Sequence, residues 1–121
     1  MIEIFNPPEE IDPEELKRIL GRVLKEEGET KDLNIIFVDN RYIQDLNKRF
    51  LKRDYPTDVL AFEGDFNLLG EVYISVQQAL ANCKDYGVSL REECYKLALH
   101  GLLHLLGYSH KEMEERERTY L

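Results

Sequence analysis

His100-Gly101-Leu102-Leu103-His104-Leu105-Leu106-Gly107-Tyr108-Ser109-His110 contains all three histidines of the 121-residue chain. His100 and His104 are four residues apart, so on a helix they stack on one face, about one turn from each other. One metal ion can reach both imidazoles there. Gly107 then ends the helix, because glycine takes the left-handed conformation at little steric cost. The chain turns back, and His110 can approach the first two rings. The spacing H-x3-H-x2-G-x2-H supplies three nitrogen donors and leaves a fourth position for water, which is the form of a catalytic zinc site. From Leu97 to Leu106 no residue is charged and the helix is apolar nearly all round. Such a helix is buried, and the remaining elements must pack around it.

The metzincin proteases share this spacing, but a glutamate follows their first histidine and serves as general base. Here that position is Gly101. Glycine cannot take a proton from water, so peptide hydrolysis is not the default reading. The stretch resembles instead the signature of the YbeY family, H-G-x-L-H-L-x-G-Y-D-H, and departs from it only at Ser109, where the family has aspartate. A carboxylate that would orient a histidine from outside the ligand set is therefore missing at that position. A second segment, Pro56-Thr57-Asp58-Val59-Leu60-Ala61-Phe62, is similar to the family's P-T-D-V-L-S-F, with Ala61 in place of serine. The clear resemblance runs from Asn47 to His110.

The resemblance implies a zincin-like fold and a metal-dependent endoribonuclease that cuts single-stranded RNA. It implies one zinc ion on His100, His104 and His110. It also implies a role in ribosomal RNA maturation at the 3′ end of the 16S RNA and in ribosome quality control. The partners would be ribosomal RNA and the small subunit or its associated factors, in the cytoplasm, with no DNA. Family members carry an arginine just before the second segment; alignment on Asn47 and Asp54 puts Leu51 there. Arg49, Lys52 or Arg53 would have to substitute. For the general base the candidates are Glu71 and Asp58. Glu71 stands where the family has an aspartate in a G-D-I triplet; it could hydrogen-bond a ligand histidine or point to solvent.

A net charge of −8 argues against general affinity for nucleic acid. The positive charge is local, however: Lys48, Arg49, Lys52 and Arg53 fall within six residues. They form either an RNA-binding patch or a solvated helix face. Hydrophobic content of 43% and charged content of 33% fit a globular chain. No apolar run approaches the ~20 residues of a membrane span. The N-terminus has neither the basic segment nor the long apolar one of a signal peptide. Cys83 and Cys94 form no CxxC pair and read as buried thiols in a reducing compartment.

Ile2 and Ile4 alternate with Glu3 as a short strand. Asp12-Pro13-Glu14-Glu15 opens a helix with its apolar face at Leu16, Ile19, Leu20, Val23 and Leu24, and Gly28 closes it. Leu33 to Val38 reads as a buried strand. Asp39 or Asn40 caps the next helix, whose apolar face carries Ile43, Leu46, Phe50 and Leu51. Asn47 lies on that face and must be hydrogen-bonded, so it is expected to hold a neighbouring loop. Val59–Phe62 and Leu69–Ile74 form a hairpin about Glu63-Gly64-Asp65. Ser75 and Ser89 each open a helix with a capping box. A charged helix follows His110, with Met113 as a candidate floor to the site. The order predicts one α+β domain over residues 1–121, with a mixed sheet of about four strands and five or so helices.

Two rivals follow from the same residues. A metallopeptidase would need a base from elsewhere than position 101. A non-catalytic, metal-containing ribosome-binding module would need a fourth protein ligand. Cys94 lies six residues before His100, roughly 9 Å along the helix, which is too far; Cys83 is the remaining donor.

Overall fold

The computed structural model describes residues 1–121. Strand β1 (Ile2–Phe5) leads to helix α1 (Pro13–Glu26), β2 (Asp32–Val38) and α2 (Asn40–Leu51). The hairpin β3 (Val59–Glu63) and β4 (Leu68–Ser75) follows, then α3 (Val76–Tyr86), α4 (Leu90–Leu105) and α5 (His110–Tyr120). The fold is α+β, with one sheet in the order β1-β2-β4-β3. β1, β2 and β4 are parallel, and β3 is an antiparallel edge strand.

Local chemistry explains most boundaries. Asp12 caps α1 through the Glu14 N–H, with Pro13 in the first turn. Asp39, rather than Asn40, caps α2. Ser89 and Glu92 form a complete capping box at α4. Ser75 caps α3 through the Gln78 N–H. The expected return bond from Gln78 is not made; the neighbouring Gln77 side chain instead accepts from the Asn40 N–H at 2.7 Å, tying α2 to α3.

Strand alternation divides the sheet into two faces. Leu33, Ile35, Phe37, Val72 and Ile74 join Leu16, Leu20 and Val23 of α1 and Leu99, Leu102 and Leu103 of α4 in the main core. The other face carries a smaller cluster, Ile43 and Leu46 of α2 on Leu60 of β3. Phe50 and Leu51, expected on the buried face of α2, are exposed at its C-terminal end. Phe50 still packs edge-on against Phe62, with centroids 5.3 Å apart.

α4 buries most of its second half, as its composition predicts, and leaves His104 exposed. It lies so close to β4 that a Cβ on Gly101 would stand 2.5 Å from Val72 Cγ1. Met113 is 2% exposed and belongs to the main core, where it anchors α5 instead of flooring a site. No helix is long and apolar enough to cross a membrane.

Candidate active site

His100 and His104 occupy adjacent turns of α4 and line one cavity of about 180 Å³. Its other walls are Gly101, Leu51 at the end of α2, and Val59, Leu60 and Ala61 of the edge strand. Helix α4 ends one residue later, and Gly107 turns the chain with φ +89°. Ser109 then caps α5 in a complete capping box with Glu112, and His110 is the first helical residue. Serine thus does at this position what an aspartate would do as an N-cap. The turn brings the His110 ring to within 6.1 Å of the His100 ring, centroid to centroid, with 28° between their planes.

Three imidazoles are therefore gathered on two helix ends, but they are not closed into a cage. No group of three His, Cys, Asp or Glu side chains stands at mutual ligating distance. His104 and His110 are exposed, and neither ring makes a hydrogen bond. Three neutral nitrogen donors beside an open cavity fit zinc in donor chemistry and in number. Cys83 does not join them; it neighbours Cys94 and Glu93 across the packed faces of α3 and α4. The Cys94 thiol is pushed up to about 12, chiefly by burial.

One ring is already oriented. His100 Nδ1 lies 3.2 Å from Glu117 Oε1, on α5. Glu117 is not among the residues expected from the sequence, because its approach to His100 depends on how α5 packs against α4.

The carboxylates predicted as bases separate. Asp58 borders a second cavity of about 200 Å³ together with His100, Glu93 and Lys96. The Asn82 amide holds it in place, donating to Asp58 Oδ2 at 3.1 Å and to the buried Glu93 at 3.0 Å. Glu71 is elsewhere. Its neighbours Gly70 and Val72 face α4, so strand alternation turns Glu71 to the opposite side of the sheet. There it accepts from Tyr73 Oη at 3.3 Å. Burial first, and then Glu71, push that phenol up to about 12. The expectation that Glu71 serves the histidines is corrected by this placement.

The basic residues also differ. Arg49 pairs with Asp45 at 3.3 Å and lies over the Phe50 ring. Lys52 takes the left-handed C-cap of α2 at φ 58°. The side chains of Lys52 and Arg53 make no ion pair and follow directly on Leu51, which walls the histidine cavity. Asn47 is 1% exposed and donates to the Tyr55 carbonyl at 2.9 Å, while its own backbone carbonyl accepts from the Arg53 N–H. It thus holds the loop carrying Arg53 and leading to Asp58, as expected. The largest surface concavity, about 550 Å³ between α1 and β1, contains none of these groups.

The model of the family "Endoribonuclease YbeY" matches residues 2–120. The chain belongs to this family of enzymes. An endoribonuclease YbeY of Carboxydothermus hydrogenoformans is 40% identical over 95% of this chain and 87% of its own. That of Acholeplasma laidlawii is 47% identical over 82% of this chain and 75% of its own. Among solved structures, the solution structure of TM1509 from Thermotoga maritima superposes with a TM-score of 0.74 at 32% identity, covering 99% of this chain and 86% of that one.

Proposed function

We propose that the chain is a zinc-dependent endoribonuclease that cuts single-stranded RNA. The observation that carries this reading is the position of His100: it borders the cavity shared with His104, the cavity that holds Asp58, and the ring of His110. The ligand set is His100, His104 and His110. Zinc held there would lower the pKa of a bound water toward ~7 and polarise a phosphate oxygen.

The chain's own side chains do the rest. Asp58, fixed by Asn82, is the base that accepts a proton beside His100. Lys52 and Arg53, free of ion pairs and adjacent to the cavity wall, hold the phosphate backbone and offset charge that builds up in the transition state. Arg49, already committed to Asp45, contributes less. Leu51 leaves an apolar wall where the family carries arginine.

Ribosomal RNA, its maturation at the 3′ end of the 16S molecule and quality control of the small subunit, in the cytoplasm, are the setting this reading takes from the family. The peptidase alternative has no support at position 101, where Val72 leaves no room for a glutamate. The binding-module alternative lacks its fourth ligand, since Cys83 is placed with Cys94.

The test offers the zinc-loaded protein end-labelled single-stranded RNA, duplex RNA, single-stranded DNA and a casein digest. Cleavage of single-stranded RNA alone, abolished by chelator and restored by zinc, is expected. Cleavage of casein, or RNA cleavage indifferent to chelator, would overturn the reading.

A further inference from the structure

We propose that Glu117 is a positioning residue: it fixes His100 as the tautomer that carries hydrogen on Nδ1 and turns the Nε2 lone pair toward the cavity shared with His104. The proposal rests on the metal-site reading above. An ionised carboxylate only accepts hydrogen bonds, so at 3.2 Å from Glu117 Oε1 the Nδ1 atom must donate. A neutral imidazole with hydrogen on Nδ1 has its lone pair on Nε2. Carboxylates bound in this way to histidines orient them for metal and raise their basicity.

The geometry supports more than a chance surface approach. Glu117 is 18% exposed and the His100 side chain 35%, so the pair is partly shielded from water. The helix that presents Glu117 is itself pinned. Glu27, at the end of α1, accepts from Tyr108 Oη and, at 3.0 Å, from Tyr120 Oη. Arg116 reaches the same carboxylate at 3.8 Å and lies over the Tyr108 ring at 5.0 Å. Residues on both sides of Glu117 in sequence are therefore anchored to α1. Met113 in the core fixes the first turn of the same helix. Neither the turn at Gly107 nor Ser109 supplies a carboxylate to His100; the one that reaches it comes from two turns further along α5.

The test measures two things on the metal-free and zinc-titrated full chain, with Glu117→Ala, Glu117→Gln and the control Glu115→Ala. Nitrogen NMR of the metal-free protein above the histidine titration range reads the His100 tautomer. Zinc affinity is read by competition with a chromophoric chelator. Expected are the Nδ1–H tautomer in the unaltered chain and its loss in Glu117→Ala. Zinc affinity should fall about 10–100-fold in that variant, with a partial fall in Glu117→Gln, no change in Glu115→Ala and a retained helical spectrum in all. An Nε2–H tautomer in the unaltered chain, or equal zinc affinity with and without the Glu117 carboxylate, would overturn the positioning role while leaving the metal site. Failure of the unaltered chain to bind zinc would overturn both, and the tautomer measurement would show whether the hydrogen bond to Glu117 exists independently.

Discussion

Val72 of β4 packs so close to Gly101 of α4 that a single added carbon would overlap it: a Cβ at Gly101 would meet Val72 Cγ1 at 2.5 Å. The glycine that removes the protease base is thus also what lets the histidine helix lie flat on β4. Replacing it with alanine gains about 1 kcal/mol of helix propensity. Overpacking costs about 1–3 kcal/mol, so the clash wins. Gly101→Ala is expected to lower stability, measured by urea unfolding. Trimming the partner in Gly101→Ala/Val72→Ala should cost less than the sum of the two single changes. Additive costs would show that the two side chains do not compete for one space.

Ser109 caps α5 as an aspartate would. Ser109→Asp is expected to leave stability within about 0.5 kcal/mol, whereas Ser109→Ala should lose about 1 kcal/mol with the cap. Thermal unfolding of the two variants side by side checks this.

Asn47 is a buried amide tied to the Tyr55 carbonyl. Asn47→Ala leaves that carbonyl without its partner and should cost about 1–3 kcal/mol. Hydrogen exchange should quicken in the loop from 52 to 57, while the β2–β4 pairing stays protected. A uniform acceleration across the chain would contradict a local role.

The Glu27 knot predicts a pH dependence at the alkaline end. The Tyr120 phenol is pushed up to about 12, by burial first and then by its bond to Glu27; Tyr108 is raised as well, chiefly by Glu27. Each folded value lies above the unfolded value near 10. The stability these tyrosines contribute is therefore fully present below pH ~10 and is lost as pH rises through the folded values. Glu27→Gln should lower stability at neutral pH and flatten this alkaline decline, as read by urea midpoints across that range.

Lys52 and Arg53 are free while Arg49 is paired. Removing one cation that neutralises a phosphate should reduce the slope of log affinity against log salt by about 0.7 for a single strand. Arg53→Gln and Lys52→Gln should show that change for single-stranded RNA, and Arg49→Gln a smaller one.

The sequence was legible wherever a signal was local. The capping residues Asp12, Ser75 and Ser89, the apolar stretch of α4, the β3–β4 hairpin and the bond-seeking Asn47 follow from neighbours a few positions away. The approach of His110 to His100, and of His104 to the same cavity, follows from one helix and one glycine turn. The roles of Glu71 and Glu117 were not legible. Which face of a central strand a carboxylate takes depends on register with β2 and β3, and one residue decides it. Glu117 reaches His100 from a helix held by Met113 in the core and by Glu27, far back at the end of α1, and no local pattern encodes that arrangement. Met113 and Phe50 fail the same way: one is drawn into the core by helix packing, and the other meets Phe62 edge-on and stays exposed.

The most direct measurement compares the unaltered protein with His104→Ala, each loaded with one equivalent of zinc, on labelled single-stranded RNA. His104 is exposed, so the variant should fold normally, and its helical spectrum and unfolding midpoint should match. The expected result is cleavage by the unaltered protein and, in the variant, a fall of at least about 100-fold, the scale of one catalytic group, together with weakened zinc retention. Equal cleavage by the two folded proteins would contradict the central claim that these three histidines hold the catalytic metal.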